Sequence, residues 1–210
     1  MKSKIFIIVF AFATVGVFAQ KELTADLKQK IKEHNSAITT LNCRFKQTKH
    51  LAIMSKDLVS TGQFYYQQKD KLSMQYDTPA GDLMTMNGTD FLMITNGKRR
   101  VASSKSNAKL KTLQVLLTAC MNGDIDAAMA QTAATAVYTD NGKNYIIKLT
   151  PKKADLSKGV VSIVLTVNKQ SMEITALRID ETADNYTLYE LSNRVVNKPI
   201  DAKVFEIKAS

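Results

Sequence analysis

Apolar and polar positions alternate along most of this 210-residue chain, the mark of strands with one buried face. Gly62–Pro79 shows it most clearly. Phe64 and Tyr66 share one face and Tyr65 takes the other. After the polar run Gln67-Gln68-Lys69-Asp70, which supplies a turn, Leu72, Met74 and Tyr76 alternate with Lys71, Ser73 and Gln75. Two strands facing each other across a charged turn follow, with a large, soft apolar surface between them. Ahead of this pair, Leu41, Cys43 and Phe45 alternate into a first strand, and Leu58–Gln68 is the second. Behind it, Leu83–Met86 and Phe91–Thr95 flank Asn87-Gly88, and Asn96-Gly97 leads into Lys98–Ala102. Asn-Gly between alternating segments is a strong hairpin signal.

The later chain repeats the pattern. Ala136–Thr139, Asn144–Thr150, Val160–Asn168, Met172–Asp180 and Asn185–Ser192 follow in meander order, and Asp201–Ile207 reads as a closing strand. Met172, Ile174 and Ala176 share one parity, which Leu177 and Ile179 switch, so a bulge is expected there. Helical spacing occurs in two regions. Leu23, Leu27 and Ile31 fall four apart, with Thr24 placed as N-cap of a helix reaching Asn35. After a polar loop at Ser103–Lys109, Leu110, Leu113, Leu117 and Cys120 make a stripe over Lys109–Met121, ended by Asn122-Gly123. An Ala-rich helix over Ile125–Ala134 follows.

The predicted class is therefore α+β, mainly antiparallel β, with about ten or eleven strands. A sheet of that size curls strongly or closes. Its concave side is the one large surface on which amphipathic helices can sit. An unclosed, strongly curved barrel capped by helices is the expected architecture. Whether the helices enclose a cavity or plug it is open from the pattern alone.

Residues 1–19 read as a signal peptide: Lys2 and Lys4 form a basic start, Ile5–Phe12 a greasy core, and Val17-Phe18-Ala19 ends in the small residues a peptidase reads. Cleavage is placed after Ala19, and residues 20–210 are read as one domain. No Cys follows the cleavage point, so the lipid anchor of a lipoprotein is not expected. The formal net charge is +10, but only five of the 29 cations are arginines. Lysine-dominated, dispersed charge argues against nucleic-acid readout and suits an anionic membrane surface or an acidic partner patch. Cys43 and Cys120 could form one disulfide in an exported protein; two buried free thiols are the preferred reading.

Catalysis finds little support. The two histidines, His34 and His50, belong to no recognisable catalytic or metal-ligand spacing. The acids fall on turns and polar strand faces. No cofactor, metal or catalytic residue is expected.

The chain resembles the periplasmic outer-membrane lipoprotein carriers of the LolA type, over nearly the whole length after the leader. The motifs are Phe45-Lys46-Gln47-Thr48 on the first strand, Gly62-Gln63-Phe64-Tyr65 on the second with Pro79 seventeen residues after the glycine, Asn87-Gly88 with Phe91, Leu149-Thr150-Pro151-Lys152, and Asp201 with Phe205-x-Ile207. The resemblance implies an unclosed barrel whose hydrophobic cavity takes lipoprotein acyl chains from an inner-membrane ABC transporter and hands them to an outer-membrane receptor. With that resemblance, the expected cavity face is Phe45, Phe64, Tyr66, Leu72, Met74, Tyr76, Met84, Met86, Leu113 and Leu117. Family members carry Arg-Pro in the turn after the second strand, where the arginine holds the helical lid; the matching positions are Gln68 and Lys69. The family's tryptophan on the third strand is matched by Met74. A monomeric carrier of lipoproteins or another lipid is the expected function. The alternative is an exported lipid- or lipoprotein-sensing module of the same fold that transfers nothing.

Overall fold

The structure, a computed structural model, describes residues 21–22, 24–151, 160–181 and 184–207, with backbone alone at 21, 108, 109, 112, 113, 115 and 116. The expected leader lies outside these residues. The elements run β1 (Lys21–Glu22), α1 (Ala25–Ser36), β2 (Thr40–His50), β3 (Leu58–Gln67), β4 (Lys71–Thr78), β5 (Leu83–Asn87), β6 (Asp90–Thr95), β7 (Lys98–Ser103), α2 (Ala108–Met121), α3 (Ile125–Thr132), β8 (Thr135–Asp140), β9 (Asn144–Thr150), β10 (Val160–Asn168), β11 (Ile174–Glu181) and β12 (Tyr186–Val196). A single 3₁₀ turn, Ala202–Phe205, follows.

All strands belong to one antiparallel sheet in the order β1-β8-β9-β10-β11-β12-β2-β3-β4-β5-β6-β7. The late strands pair with the early ones through β12 and β2, so β1 and β7 form the two free edges. The sheet is curved and unclosed. β7 and β8 lie far apart in this order, and α2 and α3 must carry the chain between them. That connection runs over the inner face, because the helices' apolar sides need it.

Two buried clusters result. Ile31 of α1, Cys120 of α2 and Ile125 of α3 pack on inward residues of β9 to β11, such as Ile147 and Leu165. On the other half, Leu41, Phe45, Phe64, Tyr66, Leu72 and Phe91 form a second core, against which Leu110, Leu117 and Met121 of α2 rest.

Local chemistry fixes the helices. Thr24 Oγ1 accepts from Leu27 N at 3.3 Å and starts α1. Asp124 Oδ1 accepts from Ala127 N at 3.0 Å and starts α3. Burial alone would raise the Asp124 carboxyl, but the hydrogen bonds from Lys32 and Ala127 N–H outweigh it and hold the carboxyl below the usual range. Lys32 to Asp124 (2.9 Å) and Lys28 to Asp126 (2.5 Å) tie α3 alongside α1. Gly123 joins α2 to α3 at φ +66°, and a Cβ there would stand 2.7 Å from the Ile31 carbonyl oxygen. No other residue fits that approach.

The expected bulge exists. Val167 pairs with Ile174 and Thr166 with Ala176, so Thr175 is the extra residue, and Leu177 and Ile179 turn inward opposite Leu165 and Ile163. Two expectations are corrected. The segment from Asp201 does not close the sheet as a strand: Asp201 Oδ1 accepts from Lys203 N at 2.9 Å and winds a 3₁₀ turn that buries Phe205. β12 already has β11 and β2 on its two sides, so it offers that segment no free edge. Met172 sits in a turn at φ +57°, and its strand begins at Ile174. The two-residue β1 was not foreseen. Cys43 and Cys120 are free and buried. Among the described residues, no helix is long and apolar enough to cross a membrane.

Candidate functional site

Between the two cores lies an apolar cavity of about 110 Å³. Its walls come from distant parts of the chain: Phe64, Leu72, Met74 and Met84 from β3 to β5, Leu117, Cys120 and Met121 from α2, Ile174, Leu177 and Ile179 from β11, and Tyr189 and Leu191 from β12. Register builds the first wall. Met74 stands opposite Phe64 on one side and Met84 on the other, so the three share one face. The bulge at Thr175 builds the opposite wall by turning Leu177 and Ile179 inward.

Of the anticipated cavity residues, Phe64, Leu72, Met74, Met84 and Leu117 line this space. Phe45, Tyr66 and Met86 are buried in the core beneath it without lining it. Tyr76 is half-buried; its hydroxyl donates to Gln47 Oε1 at 2.7 Å and its ring meets Phe45 edge-on at 5.0 Å. Leu113 belongs to α2, and its side chain falls outside the described residues. The β11 and β12 wall escaped sequence reasoning. Its one available signal was the parity switch at Leu177, which marked a bulge but not what it faces.

The cavity is chemically quiet. Burial pushes the Cys120 thiol up to about 12 and the Tyr189 phenol above its usual value, so both stay neutral. Such a surface offers dispersion and water exclusion, not acid–base chemistry. His50 lies elsewhere, at the β2–β3 hairpin, with Nδ1 2.7 Å from Asp57 Oδ1.

α2 covers the cavity and is fastened by its polar face. Gln114 Nε2 donates to the Gly88 carbonyl and Ser104 Oγ donates to Gln114 Oε1, both at 2.8 Å. Tyr66 Oη donates to Asn122 Oδ1 at 2.7 Å. Gln68 does not reach α2: its Nε2 donates to the Ser36 carbonyl at the end of α1, at 2.7 Å. Lys69 borders a second, polar recess of about 520 Å³ on the outer side of α2, with Lys111, Gln114 and Asn122. Neutral hydrogen bonds therefore fasten the helix where the family pattern suggested a guanidinium. Gln114→Ala removes two of them, each worth about 1 kcal/mol. We expect amide exchange in α2 to accelerate roughly tenfold or more while exchange in β9 and β10 is unchanged; equal protection of α2 in both proteins would show that Gln114 does not hold the helix.

Comparison with solved structures places the fold. A protein of a domain-of-unknown-function family from Desulfovibrio piger matches with a TM-score of 0.50 at 14% identity, covering 86% of this chain and 95% of that one. The MucB–MucA complex structure from Pseudomonas aeruginosa matches with 0.51 at 7% identity, covering 88% and 60%. A LolA superfamily protein from Nitrosomonas europaea matches with 0.45 at 12%, covering 87% and 96%. Comparison with curated proteins gives no match by sequence. The family model described as outer membrane lipoprotein carrier protein LolA matches residues 36–208, from the end of α1 through the rest of the sheet and helices, and the chain belongs to that family.

Proposed function

We propose that this protein is a periplasmic carrier that shields the acyl chains of lipoproteins, or of another lipid, and delivers them from the inner to the outer membrane. One observation carries the reading: an apolar cavity whose two walls, continuous through β12, β2 and β3, are covered by helix α2. An acyl chain of about sixteen carbons gains roughly 12 kcal/mol on leaving water, at ~0.8 kcal/mol per methylene. A carrier must recover most of that and still release its load. Met74, Met84 and Met121 suit the task, because flexible thioethers repack around chains of different shape.

At about 110 Å³ the cavity is smaller than the roughly 150 Å³ space that admits one benzene. The structure is thus a closed state, and loading requires α2 to lift. The Gln114 and Asn122 hydrogen bonds contribute about 3 kcal/mol to the cost of that step, beside the burial of Leu117, Cys120 and Met121. On this proposal the leader expected at residues 1–19 directs export, an inner-membrane ABC transporter is the donor and an outer-membrane receptor the acceptor. The closed cavity also favours a second reading, a lipid- or lipoprotein-sensing module that transfers nothing.

Native mass spectrometry of the protein taken gently from its own periplasm tests the choice. A bound species with the mass of a lipid or triacylated peptide is expected. A clean apo mass, with no uptake of fluorescent fatty acid or lipopeptide, would overturn the carrier reading and leave the sensor.

A further inference from the structure

We propose that the tip of the β2–β3 hairpin is a membrane-docking element, seated in the interfacial layer of a bilayer that contains anionic lipid. Four of the eight large hydrophobic side chains exposed among the described residues stand together there: Ile53 at 94%, Met54 at 41%, Leu58 at 46% and Val59 at 49%. The others, Val101, Val161, Val195 and Val196, lie on the strands β7, β10 and β12. Among the described residues only Ile53 and Met54 put such atoms on a connection, where polar residues are the rule, and Leu58 and Val59 open β3 beside them.

The tip is held in shape rather than left to collapse on itself. Met54 N donates to the Leu51 carbonyl and Ala52 N to Asn185 Oδ1, both at 2.8 Å. His50 stacks on Tyr186 with ring centroids 5.0 Å apart, and its Nδ1 meets Asp57 Oδ1 at 2.7 Å. A fixed turn that presents Ile53 to solvent has no use inside this fold. It does suit insertion, because the ordering is complete before the membrane is met.

Charge selects the partner. Lys49 and Lys56 flank the apolar residues; the one carboxylate of the connecting segment, Asp57, is turned to His50, and Asp180 on the neighbouring β11 is paired with Arg178. An apolar tip with a cationic collar fits the boundary between acyl chains and anionic headgroups. The register gives the docking a direction. Tyr186 pairs with His50, and Thr78 with Thr61, so the hairpin tip, the Pro79–Asp82 turn and the start of β12 share one end of the sheet. α2 fastens at the opposite end, through Tyr66 and Gly88. Docking by the tip therefore turns the end of the sheet opposite the α2 fastening towards the bilayer.

The chain has no tryptophan, so one introduced indole reports alone. Ile53→Trp is mixed with vesicles of phosphatidylethanolamine and phosphatidylglycerol, with Val196→Trp, exposed at the opposite end of the sheet, as the comparison. Emission from position 53 should shift to the blue and be quenched by brominated acyl chains, while position 196 responds to neither. Ile53→Asp should lower vesicle partition of the full chain by about tenfold or more, and leave lipopeptide uptake in vesicle-free solution unchanged. That second readout separates the docking tip from the cavity: lost uptake in wild type would refute the carrier and not the tip. Indole emission at 53 that ignores vesicles, or equal quenching at 53 and 196, would overturn the proposal. Equal binding to pure phosphatidylcholine vesicles, insensitive to salt, would remove the role given to Lys49 and Lys56.

Discussion

Gly62→Ala should destabilise the fold by about 3 kcal/mol, among the largest losses a single methyl can produce here. A Cβ at this position would stand 2.1 Å from the Gln75 carbonyl oxygen and 2.7 and 2.8 Å from ring atoms of Phe45. The first obstacle is backbone of the neighbouring strand β4. The second is a ring with 2% exposure, wedged against Tyr76. Neither can retreat cheaply: moving the carbonyl disturbs the ladder where the β3–β4 register already shifts between Thr61 and Gly62, and moving the ring opens the core. The urea midpoint should fall by roughly 1–2 M at the slope usual for domains of this size. Adding Phe45→Leu to Gly62→Ala should recover about 1 kcal/mol relative to additivity, since it relieves the ring contact but not the carbonyl. An unchanged midpoint for Gly62→Ala would mean that the strand can part without cost.

Gly62 also shows how the sequence encodes the fold. The Gly-x-aromatic motif read at Gly62–Tyr65 is the imprint of a close approach: the glycine makes room for Phe45 of the Phe-x-Gln-Thr strand, which pairs with it directly. Two weak motifs are one packing event. The Asn-Gly hairpins and the parity switch at Leu177 were legible because each is local chemistry, complete within a few residues. The pairing of β12 with β2 was not, since nothing in either strand names a partner well over a hundred residues away. That long-range pairing decides which strands are edges, and so it also removed the place in the sheet that Asp201–Ile207 was expected to fill. Alternation over Phe205-x-Ile207 is too short to separate a strand from a single turn.

The site divided along the same line. The wall on β3 to β5 was read from alternation, while Tyr189, Leu191 and the β11 residues needed the curvature that brings β11 and β12 across from Met74. The fastening of α2 was invisible for another reason. Gln114 sits on the polar side of an amphipathic helix and Asn122 just past its end, where the ordinary expectation is water. The turn at Gly88, Ser104 and the buried Tyr66 give them partners. Gln68 and Lys69 occupy the positions of the family's lid pair, yet one bonds to α1 and the other borders the open recess. The covering helix is kept, and the chemistry that holds it is changed.

Met74→Arg should weaken binding of a fluorescent triacylated peptide by about a hundredfold or more, close to 3 kcal/mol. Met74 is buried between Phe64 and Met84 and forms part of the cavity wall. A guanidinium there has no carboxylate among the lining residues, and burying an unpaired charge costs several kcal/mol. The arginine must either stay in the cavity, where it displaces the acyl chain, or thread past α2 and hold it away from Gln114's partners. Both routes cost affinity. The charge can also unfold the protein, so two further substitutions keep the result interpretable. Met74→Leu conserves volume and should change stability by less than ~1.5 kcal/mol and affinity little. Met74→Gln keeps the shape but adds an unmatched amide, worth about 1–3 kcal/mol, and should lower affinity roughly tenfold with the fold intact. Titration by peptide fluorescence, beside thermal unfolding of each variant, reads both quantities. A Met74→Arg protein that melts like wild type and binds the peptide equally well would place the acyl chain somewhere other than this cavity, as would a Met74→Gln protein with undiminished affinity.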